Sequence, residues 1–261
     1  MNVSVGGRLT IDDVVAVADG APVSFEPAAR AQVEAGRAVI DRAVASGDTI
    51  YGVTTGFGAL AHTRVDPSDA SSLQHGIVRS HATAVGDPLT REEARAMLLL
   101  RAHVLALGHS GVRPVVIDRM VSMLNEDVIP AVPQQGSLGA SGDLAPLANL
   151  ALPLIGHGGV LTPEGGVEPA ARAMARAGLE PLELEAKEGL ALVNGTQGML
   201  AVGLLAVARA AALARTADVV AAMTIEASFG TDRPFDERLQ ALRPHPGQSA
   251  SASNLRRLLA G

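Results

Sequence analysis

The sequence predicts a mainly α-helical protein, and three observations carry that prediction. Of the 261 residues, 48% are hydrophobic but only 2% are aromatic. Such a core must be packed from Leu, Val, Ile, Met and Ala, a mix that favours helices over sheets. Apolar residues recur at three- and four-residue spacing in several stretches, the period of a helix with one buried face. Those stretches are also bounded by helix start and stop signals, with Gly and Pro between them. The length fits one large domain or one and a half. A charged fraction of 18% with mean hydropathy +0.25 excludes a disordered chain.

Pro27 to Ala45 forms the first helix, with Val33, Ile40 and Val44 on one stripe and Ser46-Gly47 ending it. Thr90-Arg91-Glu92-Glu93 is a capping box, in which the Thr hydroxyl accepts the Glu93 amide and the Glu carboxylate reaches back. Met97, Leu98, Arg101, Val104 and Leu105 continue at helical spacing until Gly108. Pro114 suits the first turn of a helix that turns Ile117, Val121 and Leu124 inward. Leu144 to Ile155 is an apolar helix, Ala170 to Ala177 an Ala-rich one stopped by Gly178, and Ser253 to Leu259 a short last one.

Thr196 to about Ser228 reads as one long, Ala-rich helix with small residues at Gly203, Ala206, Ala210 and Ala214. A helix that is apolar nearly all round must be covered on most sides. The loop-like remainder offers it few partners, so a subunit interface or a longer chain is expected. The uncharged run Gly189–Ala208 is 20 residues, long enough to span a bilayer. Asn194-Gly195-Thr196-Gln197 interrupts it, and the reading is a buried helix preceded by a polar turn, with no membrane partner. The N-terminus lacks the basic-then-apolar order of a signal peptide, so a cytoplasmic location is expected.

Composition removes several kinds of chemistry. With no Cys there is no disulfide scaffold, thiol nucleophile or thiolate metal site. The net charge of −6 lacks the footprint of a nucleic-acid binder. The seven histidines show no HExxH or clustered ligand spacing, so no metal is expected.

Three Gly-rich segments remain as carriers of chemistry. In Tyr51-Gly52-Val53-Thr54-Thr55-Gly56-Phe57-Gly58, the glycines permit a tight loop that presents the chain's one tyrosine. The same residues could form a hairpin or a phosphate loop, although the dinucleotide fingerprint is not met. Gly136-Ser137-Leu138-Gly139-Ala140-Ser141-Gly142-Asp143-Leu144-Ala145-Pro146 fails the Gly-x-Ser-x-Gly pattern of a serine hydrolase. It reads either as a Gly-rich turn whose Ser or Asp caps the next helix, or as a precursor of an electrophile. In Ala-Ser-Gly the unencumbered Gly amide can condense with the Ala carbonyl. Loss of the Ser hydroxyl as a second water then leaves an exocyclic methylene on a conjugated ring. In Glu188-Gly189-Leu190-Ala191-Leu192-Val193-Asn194-Gly195-Thr196-Gln197, Asn-Gly signals a turn and Asn or Thr a helix cap. The Asn amide could equally hold a carboxylate or a ring carbonyl.

Together these segments resemble the histidine and aromatic amino-acid ammonia-lyase family, whose members build a 4-methylidene-imidazol-5-one (MIO) group from an internal Ala-Ser-Gly. The likeness runs from Arg8-Leu9-Thr10 to Arg243-Pro244-His245-Pro246-Gly247-Gln248, and the string Gly139 to Leu147 is highly specific. Ser80-His81-Ala82, Phe235-Asp236-Glu237-Arg238 and the Arg243–Gln248 block are similar to the histidine-specific branch. Taken alone, His81 could also be a hydrogen-bonded core histidine.

The resemblance implies an MIO ammonia-lyase-like fold. Residues 1–195 would form an N-terminal MIO-bearing domain, and residues 196–261 would begin a central bundle of long helices. It implies that Ala140, Ser141 and Gly142 form the MIO group, with no metal or dissociable organic cofactor. Tyr51 would be the general acid/base near the substrate's β-carbon, His81 would face the substrate side chain, and Asn194 would bond the ring or the substrate carboxylate. The implied reaction eliminates ammonia from L-histidine to give trans-urocanate. Alternatives are a phenylalanine or tyrosine lyase, an aminomutase, or a non-catalytic partner subunit. Family subunits run well beyond 261 residues, so this chain is expected to be an N-terminal half that holds the electrophile. An Arg clamp for the carboxylate would lie elsewhere. A homotetramer, or a separate C-terminal half, is the expected partner.

Overall fold

The computed structural model describes residues 2–58, 61–66 and 69–260. It is mostly helical, at 58%. The helices are α1 (Ile11–Ala18), α2 (Pro27–Ser46), α3 (Ala70–His81), α4 (Arg91–Ala106), α5 (Pro114–Asn125), α6 (Leu144–Ala151), α7 (Ala170–Arg176), α8 (Glu188–Val193), α9 (Gln197–Ala227), α10 (Glu237–Ala241) and α11 (Pro246–Leu258). The chain divides into two compact units, Met1–Leu205 and Ala206–Gly261, with α9 running from one into the other.

Within the first unit the core is built on α4. The Thr90 hydroxyl and the Glu93 carboxylate close the predicted capping box, which fixes the start of this helix. From Ala94 to Ala106 nearly every side chain is buried, including Met97, Leu98, Leu99, Leu105 and the charged Arg95 and Arg101. A helix buried on all sides needs neighbours all round. Here α1, α2 and α5 supply them, with Val14, Val17, Val33, Ile117, Met120 and Leu124 in the same apolar cluster. Gly47 ends α2 in the left-handed region at φ 72°, as its sequence signal requires.

Among the described residues, three short two-stranded sheets trim this helical core. β1 (Val3–Val5) pairs in parallel with β2 (Val23–Phe25); β3 (Val85–Pro88) with β4 (Pro133–Gln135) and β5 (Gly159–Leu161) with β6 (Val167–Pro169) are antiparallel. At three or four residues each, these strands carry too little alternation to be read from the sequence. The β3–β4 pair positions the site. Val85 lies opposite Gln135, so the end of α3 before β3 and the Gly-rich loop after β4 emerge at one end of the ladder.

The most enclosed element is α8, all six of whose residues are buried. Burial obliges the protein to satisfy the helix ends with side chains. At the entry, the fully buried Glu188 carboxylate accepts the Glu185 N–H at 2.9 Å, the Arg113 N–H at 2.9 Å and the Arg113 guanidinium at 2.8 and 2.9 Å. Gln74 Oε1, from α3, accepts the Leu190 N–H at 3.1 Å. At the exit, Arg101 of α4 donates to the Ala191 carbonyl and, at 2.9 Å, to that of Asn194.

Two readings are corrected by the structure. The long helix forms, from Gln197 to Ala227, but it is not a buried helix in this chain. Ala201 and Leu205 are buried, whereas Met199, Val207, Leu213, Val220 and Met223 are exposed, as are Gly203, Ala206, Ala210 and Ala214. The chain's own elements do not cover the length of an all-round apolar helix. The stretch Glu188–Ala227 is also long and apolar enough, by composition, to cross a membrane. Secondly, the region after Ser228 is less loop-like than its prolines suggest. Pro246 opens α11, seven residues earlier than the predicted Ser253, because a proline at the first helical position sacrifices no hydrogen bond. In this second unit Gln240 of α10 donates to Pro234 O at 2.9 Å, and Asn254 of α11 donates to Asp218 of α9 at 2.9 Å.

Removing one partner of a buried charge pair costs about 3–5 kcal/mol. Glu188→Ala should therefore lower the unfolding free energy by about that amount, measured by urea denaturation. A second effect concerns acid. His103 is half-buried and its Nδ1 accepts the Gly6 N–H at 3.4 Å, and burial holds its pKa below the ordinary 6.5. Below pH 6.5 the unfolded chain therefore takes up protons that the folded one resists, so stability falls with acidification. Thermal melts across that range should show the fall, and His103→Gln should flatten it.

Candidate active site

The Ala-Ser-Gly loop is held at both ends and tightly turned in the middle. It leaves β4 at Gly136 and ends at Asp143, the residue before α6. Gly142 sits at φ +78°, where L side chains are rarely found, and a Cβ there would lie 2.7 Å from Ser137 Oγ. Ser141 is half-buried, and its Oγ accepts the Asp143 N–H at 3.3 Å.

Asp143 does not cap its own helix, one of the readings its sequence leaves open. It makes no side-chain bond to α6; its buried carboxylate instead accepts the Met199 N–H in the first turn of α9, at 3.0 and 3.3 Å. The first N–H groups of a helix are unpaired and carry its positive dipole end, so a carboxylate is stabilised there. This bond couples the Ala-Ser-Gly loop directly to the helix that comes after Asn194.

His81 is the last residue of α3. Its Nδ1 lies 2.9 Å from the Ile77 carbonyl, which can only accept. Ser80 Oγ also lies 3.1 Å from Nδ1; the tautomer with its proton on Nδ1 donates to the Ile77 carbonyl and presents the lone pair of Nε2. His81, Ser80 and Thr83 line one pocket of about 330 Å³ together with Gly136, Ser137, Leu138, Leu144 and Ala145, which frame the Ala-Ser-Gly turn. So the structure joins two segments 55 residues apart, and the β3–β4 ladder is the joint.

Tyr51 and Asn194 are both tied to α8. Gly52 packs directly against Leu190, where a Cβ would collide with Leu190 Cδ2. The loop is locked by Thr54 Oγ1, which accepts the Ile50 N–H at 2.8 Å, and by the Gly56 N–H donating to Thr63 O at 3.0 Å. On it Tyr51 is 53% exposed, edge-on to Phe57, with its hydroxyl accepting the Gly58 N–H at 3.3 Å. Asn194 closes the other end of α8 and is exposed, its backbone N–H bonded to Leu190 O at 3.1 Å. Neither Tyr51 nor Asn194 lines the His81 pocket.

The residue types suit amino-acid chemistry: a phenol, an imidazole with a free lone pair, an amide, and an Ala-Ser-Gly turn without bulk at Gly142. Residues 9–261 match the family model described as aromatic amino acid lyase. The chain belongs to that family. It is 53% identical to a histidine ammonia-lyase of Sorangium cellulosum (strain So ce56), over 98% of this chain and 50% of that protein. With a histidine ammonia-lyase of Geobacillus thermodenitrificans (strain NG80-2) it shares 50% identity over 100% of this chain and 52% of that one. Among solved structures, a tyrosine aminomutase from Streptomyces globisporus superposes with TM-score 0.93 at 42% identity, covering 100% of this chain and 49% of its own. The histidine ammonia-lyase from Trypanosoma cruzi gives 0.90 at 41%, covering 98% and 50%. The fold is that of the MIO-dependent ammonia-lyases and aminomutases, and the chain spans about half the length of the relatives it matches.

Sequence reasoning missed the residues that hold these candidate groups in place: Gln74, Arg101, the real partner of Asp143, and Gln197. One of them left a signal. Arg101 falls inside the apolar run Met97-Leu98-Leu99-Leu100-Arg101-Ala102, where a charge is costly unless a specific partner awaits it.

Proposed function

We propose that this chain is the MIO-bearing half of a histidine ammonia-lyase, which eliminates ammonia from L-histidine to give trans-urocanate. The observation that carries the reading is the shared pocket of His81 and the residues framing Ala140-Ser141-Gly142. The loop fits the electrophile it would form. Gly142 has no side chain where Ser137 Oγ stands, so its nitrogen is unhindered for condensation with the Ala140 carbonyl carbon. That bond expels the carbonyl oxygen as one water, and the Ser141 Oγ leaves with its Cα proton as a second. When formed, the group supplies an electrophilic methylene that turns the substrate's amine into a better leaving group.

The chain's own residues do the rest. His81 Nε2 accepts a hydrogen bond from the N–H of the substrate imidazole, a contact with no counterpart for a phenyl or phenol ring. This, with the identity to histidine ammonia-lyases, favours histidine over the aminomutase substrates. Tyr51, on its rigid loop, takes the β-proton as its phenolate and returns it to solvent. Asn194 donates its side-chain amide to the ring carbonyl or the substrate carboxylate. The remaining groups, including the clamp for that carboxylate, come from the length this chain does not span or from neighbouring subunits. The exposed apolar surface of α9 supports assembly with another chain; the proposed assembly is a cytoplasmic homotetramer or a pairing with a complementary C-terminal chain.

Two measurements test the reading. The intact mass should fall short of the encoded sequence by two waters; an unmodified mass would sink the electrophile. L-Histidine added to the chain mixed with the complementary half of a relative should raise the near-ultraviolet absorbance of urocanate and release ammonia. Absence of turnover there would leave the partner-subunit alternative. In the active mixture Tyr51→Phe should lower kcat by about 100-fold or more, the loss of a general acid/base. An unchanged rate would remove Tyr51 from the chemistry.

A further inference from the structure

Arg101 is 2% exposed, yet none of its hydrogen-bond partners among the described residues is a carboxylate. Its guanidinium donates to the Ala191 carbonyl, to the Asn194 carbonyl at 2.9 Å and to Gln197 Oε1 at 2.7 Å, while its buried Nε has no partner among the described residues. Burial alone depresses its pKa to about 10. For stability a leucine or methionine would serve as well at such a site, because a desolvated charge rarely repays its transfer from water. What the cation achieves is directional: its three acceptors lie in the last turn of α8, at the turn after it and at the first residue of α9, all within residues 191–197.

That turn bears Asn194. The first turn of α9, just beyond it, is held by Asp143, whose carboxylate accepts the Met199 N–H and whose own segment contains Ser141. Gly195 fits between because a Cβ there would overlap both Gln197 Oε1 and Arg101 Nη1. The fork of an arginine can meet three separated acceptors in fixed directions; a lysine cannot. We infer that Arg101 is a positioning residue, which fixes the backbone that carries the Asn194 side chain relative to the Ala-Ser-Gly loop from beneath the turn. The role of Asn194 itself rests on the proposed lyase reading; the clamp does not.

The test is Arg101→Lys, which keeps the charge and removes the fork. Amide hydrogen exchange of the variant chain should quicken in residues 194–200 more than elsewhere, with a cooperative melting transition and the two-water mass deficit kept. In the complemented enzyme, histidine turnover should fall by roughly 100-fold, the cost of about 1 Å of misplacement. In an Asn194→Ala background the same change should have almost no further effect, because a residue that acts through another shows no independent loss. Unaltered exchange in the turn would overturn the clamp, whether or not histidine is the substrate. Equal losses in both backgrounds would show that Arg101 acts otherwise than through Asn194. If the wild type lacks turnover but the turn loosens in the variant, the lyase reading fails and the clamp stands.

Discussion

The site depends on the burial of one short helix. Six residues of α8 lie inside the first unit, where water cannot satisfy their terminal N–H and C=O groups. Polar side chains of other elements therefore come to its ends, Gln74 from α3 to the Leu190 N–H and Arg101 from α4 to the Ala191 carbonyl, while Arg113, the residue before α5, pairs with the buried Glu188 side chain. Each of these bonds is worth about 1 kcal/mol net but costs more if left unmade, so the four elements are held in a single arrangement. Because the Tyr51 loop packs on Leu190 and Asn194 terminates the helix, the same bonds fix where two of the proposed functional groups stand.

A second coupling runs through Asp143. A carboxylate that could have capped its own helix reaches across to α9, so the Ala-Ser-Gly loop and the Asn194 turn share one hydrogen-bonded unit. The β3–β4 ladder brings the His81 end of α3 to the other side of the loop. Neither device is large. Their effect lies in placing groups distant in sequence on a scaffold that is itself hydrogen-bonded together, a condition for a pre-organised site.

Much of the helical framework is legible in the sequence, for local reasons. The Thr90 capping box, the Pro27 and Pro114 starts and the Gly47 and Gly178 stops are chemistry within four residues of the chain, and all appear in the structure. The illegible features involve distance or competition. The strands are too short to show alternation. Pro246 reads as a loop residue because its fitness for a first helical turn depends on the residues after it. Asp143 has two helix starts open to it, and only the tertiary arrangement offers the more distant one.

By itself, the sequence determined the helical class, the elements with local caps, and the chemical inventory: one tyrosine, no thiol, and an Ala-Ser-Gly framed by glycines. These properties come from backbone sterics and residue type, which need no partner to act. The tertiary structure alone decided which groups meet. It seated the Tyr51 loop on α8, set His81 beside the residues that frame Ser141, and directed a buried arginine to the turn that carries Asn194. The physical reason is that burial turns every polar group into an obligation. A sequence records such a group, but only the packed chain shows which partner answers it.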